Sequence, residues 1–423
     1  MKKIVFRFLF IYFFLNSFYL LEFYQIPWIN LITEYHSKID EWVVTGFNKY
    51  LLHVKSTLNT NGGGSGDISF AWAQFYTYIL LSLLGSMLWT VLDRKRQNYD
   101  TLSFWLRNVV RYYLITFCFS YGIIKLFALQ MPFPNLSLLA TPLGDFLPMR
   151  LSWMFFGYST PYQVFSGIIE IIAGLLLLNR RTIVLGSLIS AGVFFNVFML
   201  NLSYDIPVKL FSMQLFICSL FLVLSDSKRL LNFFFLNKPA ELTTLYSINF
   251  NKKWQKIARI LLKTGFVILF IIIPFNQTWQ RYKNSLIKTE MKPIKPGIYT
   301  IKTFIKNRDT VLVSLNDSLA WKDFIFDVKG IGSINTLDTL FRQRYRRGYF
   351  IYQVDSVKEI ISFKKNIPDT ASIFKMKYKI TDENAMELWG KVRNDSLYFK
   401  LLKSNRHFQL TEKQFHWISE SNR

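Results

Sequence analysis

Apolar residues gather in seven long runs, at about 4–24, 69–92, 106–130, 162–178, 182–202, 207–225 and 258–277. Several reach the roughly 20 residues that a helix needs to cross a bilayer core about 30 Å thick. The pattern predicts a polytopic α-helical membrane bundle with about seven transmembrane helices. The first run follows Lys2-Lys3, as a signal peptide would. Its apolar stretch is too long and no small-residue cleavage site follows, so it reads as an uncleaved helix. Beyond it, Trp28, Leu31, Ile32, Tyr35, Ile39, Trp42 and Val43 share one helical face, and Glu34, Lys38 and Glu41 take the other. That division predicts an amphipathic helix lying in the membrane interface. The glycine-rich tract from Asn61 to Asp67 breaks it, because glycines are cheap only in a loop.

From about 293 the period changes from helical to two. Gly297–Phe304 and Ser396–Leu401 alternate apolar with polar residues, and Asn316-Asp317, Pro368-Asp369 and Asn394-Asp395 supply turn signals. About eight short strands in this stretch predict a C-terminal antiparallel all-β soluble domain, barrel- or sandwich-like. The chain then divides into N-terminal spans with their loops (1–104), a four-helix membrane core (105–237), a basic loop with the last span (238–292), and the β-rich domain (293–423).

Charge adds direction. Asp93-Arg-Lys-Arg96, Asn179-Arg-Arg181 and the Lys228–Lys263 stretch are basic, and they alternate with the poorly basic 131–159 and 203–206 loops. Lys and Arg collect in cytoplasmic loops. The expected topology has the N-terminus in the cytoplasm and, after an odd number of spans, the C-terminal domain outside it, in a bacterial inner membrane. The formal net charge of +24, from 51 Lys and Arg against 27 Asp and Glu, then needs no nucleic-acid partner. Membrane lipid is the expected partner. The basic cluster at Arg342, Arg344, Arg346 and Arg347 reads as a solvated face near headgroups, with a site for a specific anionic ligand as the alternative.

Some chemistries are disfavoured. Cys118 and Cys218 are isolated within apolar runs and form no CxxC pair, so neither a dithiol centre nor a zinc knuckle is expected. All four histidines lie outside the runs, which disfavours haem ligation within the bilayer by this chain alone. No P-loop or dinucleotide-binding glycine motif occurs. No metal site is expected.

Polar groups inside the runs are the informative residues, because hydrocarbon tolerates them only when paired or facing a cavity. Lys125 and Glu170 are the catalytic candidates. Tyr121, Gln130, Asn196, Asn201, Asp205, Lys209 and Gln214 are the candidates for lining a ligand pocket near the outer leaflet. For each, the structural alternative is an interhelical bond that locks the bundle, and Lys209 could simply snorkel to the interface.

The segments Arg111-Tyr-Tyr-Leu, Tyr121-Gly-Ile-Ile-Lys125, Gln130-Met-Pro-Phe-Pro, Gly144-Asp-Phe-Leu-Pro-Met149, Phe165-Ser-Gly-Ile-Ile-Glu170 and Asn201-Leu-Ser-Tyr-Asp205-Ile-Pro-Val-Lys209 resemble the DoxX-like membrane proteins. The likeness runs from about 107 to 237. Tracts at Gly64–Asp67 and Phe415–Glu420 resemble parts of a longer architecture of Bacteroidetes type. The resemblance implies a four-helix membrane module and, for some members, a quinone-linked subunit of a redox complex, with other complex subunits as partners. A fainter likeness, in Tyr121-x-x-x-Lys125-Leu, is to the helical domain of vitamin K-dependent γ-carboxylases, which would make Lys125 a base. A third reading is a non-enzymatic bundle that anchors the β-domain to bind an extracytoplasmic partner or lipid. Whether the chain is an enzyme stays open at this point.

Overall fold

The computed structural model describes residues 3–17, 30–239, 246, 248, 252–287, 293–311, 321–366, 369, 371–412, 416–418 and 420. It divides into two compact units, one made of 1–130 with 161–280 and the other of 131–160 with 281–423.

The first unit is helical. In chain order the helices are α1 (Lys3–Ser17), α2 (Asn30–Phe47), α3 (Ser69–Leu92), α4 (Asp100–Leu126), α5 (Leu136–Leu139), α6 (Pro148–Tyr158), α7 (Thr160–Leu178), α8 (Ile183–Ser203), α9 (Lys209–Leu224), α10 (Ser227–Phe234), α11 (Lys253–Val267) and α12 (Ile273–Leu286). α5 and α6 belong to the other unit. A π-helical turn at Ile268–Ile272 joins α11 to α12. Among the described residues, five helical segments are long and apolar enough to cross a membrane: α3, α4, α7, α8 and the continuous Lys253–Leu286. The pair α9–α10, bent by 74°, makes a sixth when counted as one span. The chain is a multi-pass membrane protein. The described part of the first apolar run is α1, 15 residues long; residues 18–24 of that run, and Trp28, lie outside the described residues.

α4 is buried along most of its length, with Leu114, Ile115 and Phe117 fully enclosed, and it forms the centre of the bundle. α2 leaves Leu31, Ile32, Tyr35, Ile39 and Trp42 exposed, as an interfacial helix would. Its polar side is pinned to α3: Asp40 accepts from Gln74 Nε2 at 2.6 Å and from the Tyr78 hydroxyl at 2.8 Å.

The second unit is a closed antiparallel β-barrel. Its strands are β1 (Gly297–Lys306), β2 (Asp309–Thr310), β3 (Asp323–Phe326), β4 (Ile331–Ile334), β5 (Arg342–Arg344), β6 (Arg347–Asp355), β7 (Ile360–Lys364), β8 (Phe374–Asp382), β9 (Ala385–Val392) and β10 (Asp395–Lys403). The order is β10-β9-β8-β7-β6-β4-β3-β1, closed by β10 on β1, with β2 and β5 appended to β1 and β6. Closure removes the open edges that would otherwise invite pairing with other chains. Inward residues alternate along β1, β8 and β10. They fill the interior with aromatic rings, among them Trp321 stacked on Phe399 at 5.3 Å and Phe363 on Phe374 at 4.6 Å. The turn signals at 316–317 and Pro368 lie outside the described residues.

Two expectations change. The core expected as continuous over 105–237 is interrupted, because 131–160 folds onto the barrel. The Asp327 carboxylate receives the Leu136 N–H at the start of α5 (2.9 Å), Ser333 meets Ser137 at 2.8 Å, and Arg150 Nε donates to the Tyr345 hydroxyl at 2.9 Å. The basic cluster is also not one solvated face. Arg347 is buried, donating to both Asp323 oxygens at 2.5 and 3.1 Å and to Ser333 at 3.0 Å, so a two-pronged ion pair replaces its water. Arg342 and Arg344 remain exposed.

Candidate functional site

α4 and α7 cross where both present glycine. A Cβ on Gly167 would stand 2.7 Å from the Gly122 carbonyl oxygen and 2.8 Å from the Leu126 nitrogen, while one on Gly122 would stand 2.7 Å from Ile171 Cγ1. Further along α7, a Cβ on Gly174 would lie 2.9 Å from the Phe119 ring. The buried face of α7 reads Gln163, Gly167, Glu170, Gly174 and Leu177, steps of four and three that keep one seam against α4. Small residues there let the backbones touch, which in a bilayer substitutes for the hydrophobic drive that lipid cannot provide.

That crossing brings the two catalytic candidates together. Lys125 Nζ donates to Glu170 Oε1 as a buried ion pair, with side-chain exposures of 10% and 2%. The pair is only half satisfied, since Glu170 Oε2 is buried and has no hydrogen-bond partner among the described residues. An ion pair in so dry a place is strongly held once formed, but the cost of dehydrating both charges offsets most of the attraction. Chemically it can lock two helices. With Lys125 engaged, a lysine base would first have to break the pair.

The remaining candidates make separate local bonds. Asn201 ties α8 to α9, donating to Ser212 Oγ at 2.9 Å and to the Val208 carbonyl at 3.3 Å. Lys209 pairs with Asp205 at 2.7 Å and lies 3.6 Å from Asp67, so it is held and does not merely snorkel. Gln214 bonds the Tyr12 hydroxyl. Tyr121 packs its ring near Phe117 and Phe211. Gln130 Oε1 is buried without a partner among the described residues, and Asn196 is exposed on the outer surface of α8. The structure therefore brings Lys125 and Glu170 together, and it gives Asn201, Asp205 and Lys209 other work.

Three features escaped sequence reasoning. Asp67, read only as the end of a glycine tract, caps α9 from far along the chain: Lys209 and Leu210 donate their N–H groups to its two oxygens at 2.9 and 3.0 Å. Gly63 and Gly64, at φ of 54° and 99°, let the tract turn back to reach it. Arg7, buried in the first span, bonds Tyr99 (2.8 Å), Thr90 (2.7 Å) and the Asp93 carbonyl (2.8 Å). An arginine inside an apolar run was the available signal. Third, Arg111, Arg180, Arg259 and Lys263 meet in one groove. In the barrel unit, a hollow of about 520 Å³ is lined in part by Asn135, Arg342, Lys365 and Asn366.

No protein-family model matches this sequence, and no solved structure matches it. The chain is similar to the uncharacterized protein YwoB of Bacillus subtilis (strain 168), 37% identical over 84 residues, which is 20% of this chain and 54% of that protein. The chain thus spans about half the length of that relative.

Proposed function

We propose that this chain is a non-enzymatic membrane module of the bacterial cytoplasmic membrane, a locked bundle that anchors an extracytoplasmic β-barrel for binding a partner. The observation that carries the reading is the closed Lys125–Glu170 pair at a glycine crossing. The pair joins α4 to α7, and while it stays closed Lys125 holds its proton against Glu170 and is not available as a base. The half-polar hollow with Arg342 and Lys365 offers the barrel a contact surface for an anionic partner group. Charge supports the proposed orientation. Lys3 bonds the Arg96 carbonyl at 2.9 Å and Lys263 reaches the Leu178 carbonyl at 3.4 Å, so the basic segments gather at the bundle end where α4 begins, as cytoplasmic segments do. The DoxX-like resemblance over 107–237 remains our proposal for the family.

One observation favours a second reading. The unpartnered Glu170 Oε2 is the kind of group that a quinone-linked subunit would use to take up a proton. The two readings separate on the purified full chain, extracted for quinone and melted with and without added menaquinone. No bound quinone and an unchanged melting temperature accord with the anchor. Bound quinone, or a melting shift lost in Glu170→Gln, would replace it with the redox subunit.

A further inference from the structure

At the end of the bundle where α4 and α11 begin and α7 ends, an open groove of about 960 Å³ runs along the helices. Arg111, Arg180, Arg259 and Lys263 line it, and no Asp or Glu does. Two of these cations serve the fold. Arg111 Nε donates to the Leu177 carbonyl and Lys263 Nζ to the Leu178 carbonyl at 3.4 Å, answering acceptors that the last turn of α7 leaves open. Each bond uses one donor, and Arg111 keeps the rest of its guanidinium fork. Arg180 and Arg259 serve no such purpose. Arg180 lies over the Phe104 ring at 5.8 Å, and neither pairs with a carboxylate among the described residues. Both crowd Arg111 with like charge. Nothing in the described structure neutralises this cluster.

Beside and beyond the cations the lining is apolar. Val109, Tyr112, Leu262, Phe266 and Phe270 form the walls, with Tyr112 edge-on to Phe266 at 4.8 Å. From Trp254 at the mouth to Phe270 the wall descends about 24 Å at roughly 1.5 Å per helical residue, more than one leaflet's depth. A free anion has no use for that depth, and a neutral apolar ligand has no use for four cations. We propose that the groove binds a membrane lipid with a net anionic phosphate headgroup, its phosphate between Arg111, Arg180 and Arg259 and its acyl chain along the α4–α11 wall. Trp105 and Trp254 flank it with the aromatic rings that sit at headgroup level.

The test uses the full chain, delipidated in detergent and titrated with phosphatidylglycerol, phosphatidylcholine or inorganic phosphate, with the thermal midpoint as readout. Phosphatidylglycerol raises the midpoint, while the other two leave it unchanged. In Arg180→Gln/Arg259→Gln the half-saturating lipid concentration rises about 25-fold, roughly fivefold for each cation lost near the headgroups. Lys95→Gln/Lys228→Gln removes equal charge from positions outside the groove and stays within twofold of the parent. Equal protection by phosphatidylcholine, or protection by phosphate alone, overturns the proposal, as does an equal loss in the control. If the Gln variant does not fold, the contrast between the two lipids decides by itself.

Discussion

Lys125→Met removes the cation of the buried pair and leaves the Glu170 carboxylate, 2% exposed, with no partner on either oxygen. Breaking a buried ion pair from one side costs about 3–5 kcal/mol, because an uncompensated charge stays in a dry place. For a unit of this size each kcal/mol moves the melting temperature by about 2–4 °C. The single variant is therefore expected to melt roughly 6–20 °C below the parent. Lys125→Met/Glu170→Met deletes both charges and keeps similar volume. Apolar replacement of a whole buried pair is neutral or stabilising by about 1–4 kcal/mol, and the unsatisfied Oε2 places this pair among those that gain. The double variant should match or exceed the parent. Tryptophan fluorescence during heating in detergent reads all three proteins. A single variant that melts with the parent, or a double variant that melts as low as the single, would refute the view that the pair is a lock whose halves need each other.

Gly167→Leu should prevent the α4–α7 crossing and abolish monodisperse protein, since even a Cβ there meets backbone atoms under 3 Å away. Gly192→Ala, with open space around its Cβ, should leave melting unchanged or slightly raised. Asp67→Ala should lower stability by about 1–2 kcal/mol by uncapping α9, measurable as earlier thermal unfolding. Arg347→Met in the barrel should cost about 3–5 kcal/mol by stranding Asp323, whereas Arg342→Met, exposed, should stay within about 0.5 kcal/mol. Limited proteolysis of the full chain during a temperature ramp distinguishes these two.

Elements whose residues carry their own signal were legible. The run at 69–92 became α3 with the same bounds, and the period-two tract at Gly297–Phe304 became β1. Lys125 and Glu170 stood out because hydrocarbon makes any charge conspicuous. Their pairing did not, since it depends on two glycines, Gly122 and Gly167, far apart in the chain meeting at one crossing. The pocket imagined around Asn201, Asp205 and Lys209 assumed that residues of similar depth share a site, but helix rotation and a distant cap at Asp67 set their partners. The 131–160 segment looked like a surface loop because its anchor, the Asp327 carboxylate, lies nearly two hundred residues away. Arg347 looked solvated because the same short tract holds exposed arginines, and strand alternation turns only this one inward.

The proposal that the 131–160 segment and the barrel lie outside the cytoplasm is tested most directly by single cysteines in a Cys118→Ala/Cys218→Ala background. Leu143→Cys and Val357→Cys occupy exposed positions in the barrel unit, and Lys95→Cys sits in the basic loop after α3. With a membrane-impermeant maleimide on intact spheroplasts, the first two should label and Lys95→Cys should label only after permeabilisation. Labelling of Leu143→Cys and Val357→Cys from opposite sides, or of Lys95→Cys in intact cells, would contradict the account.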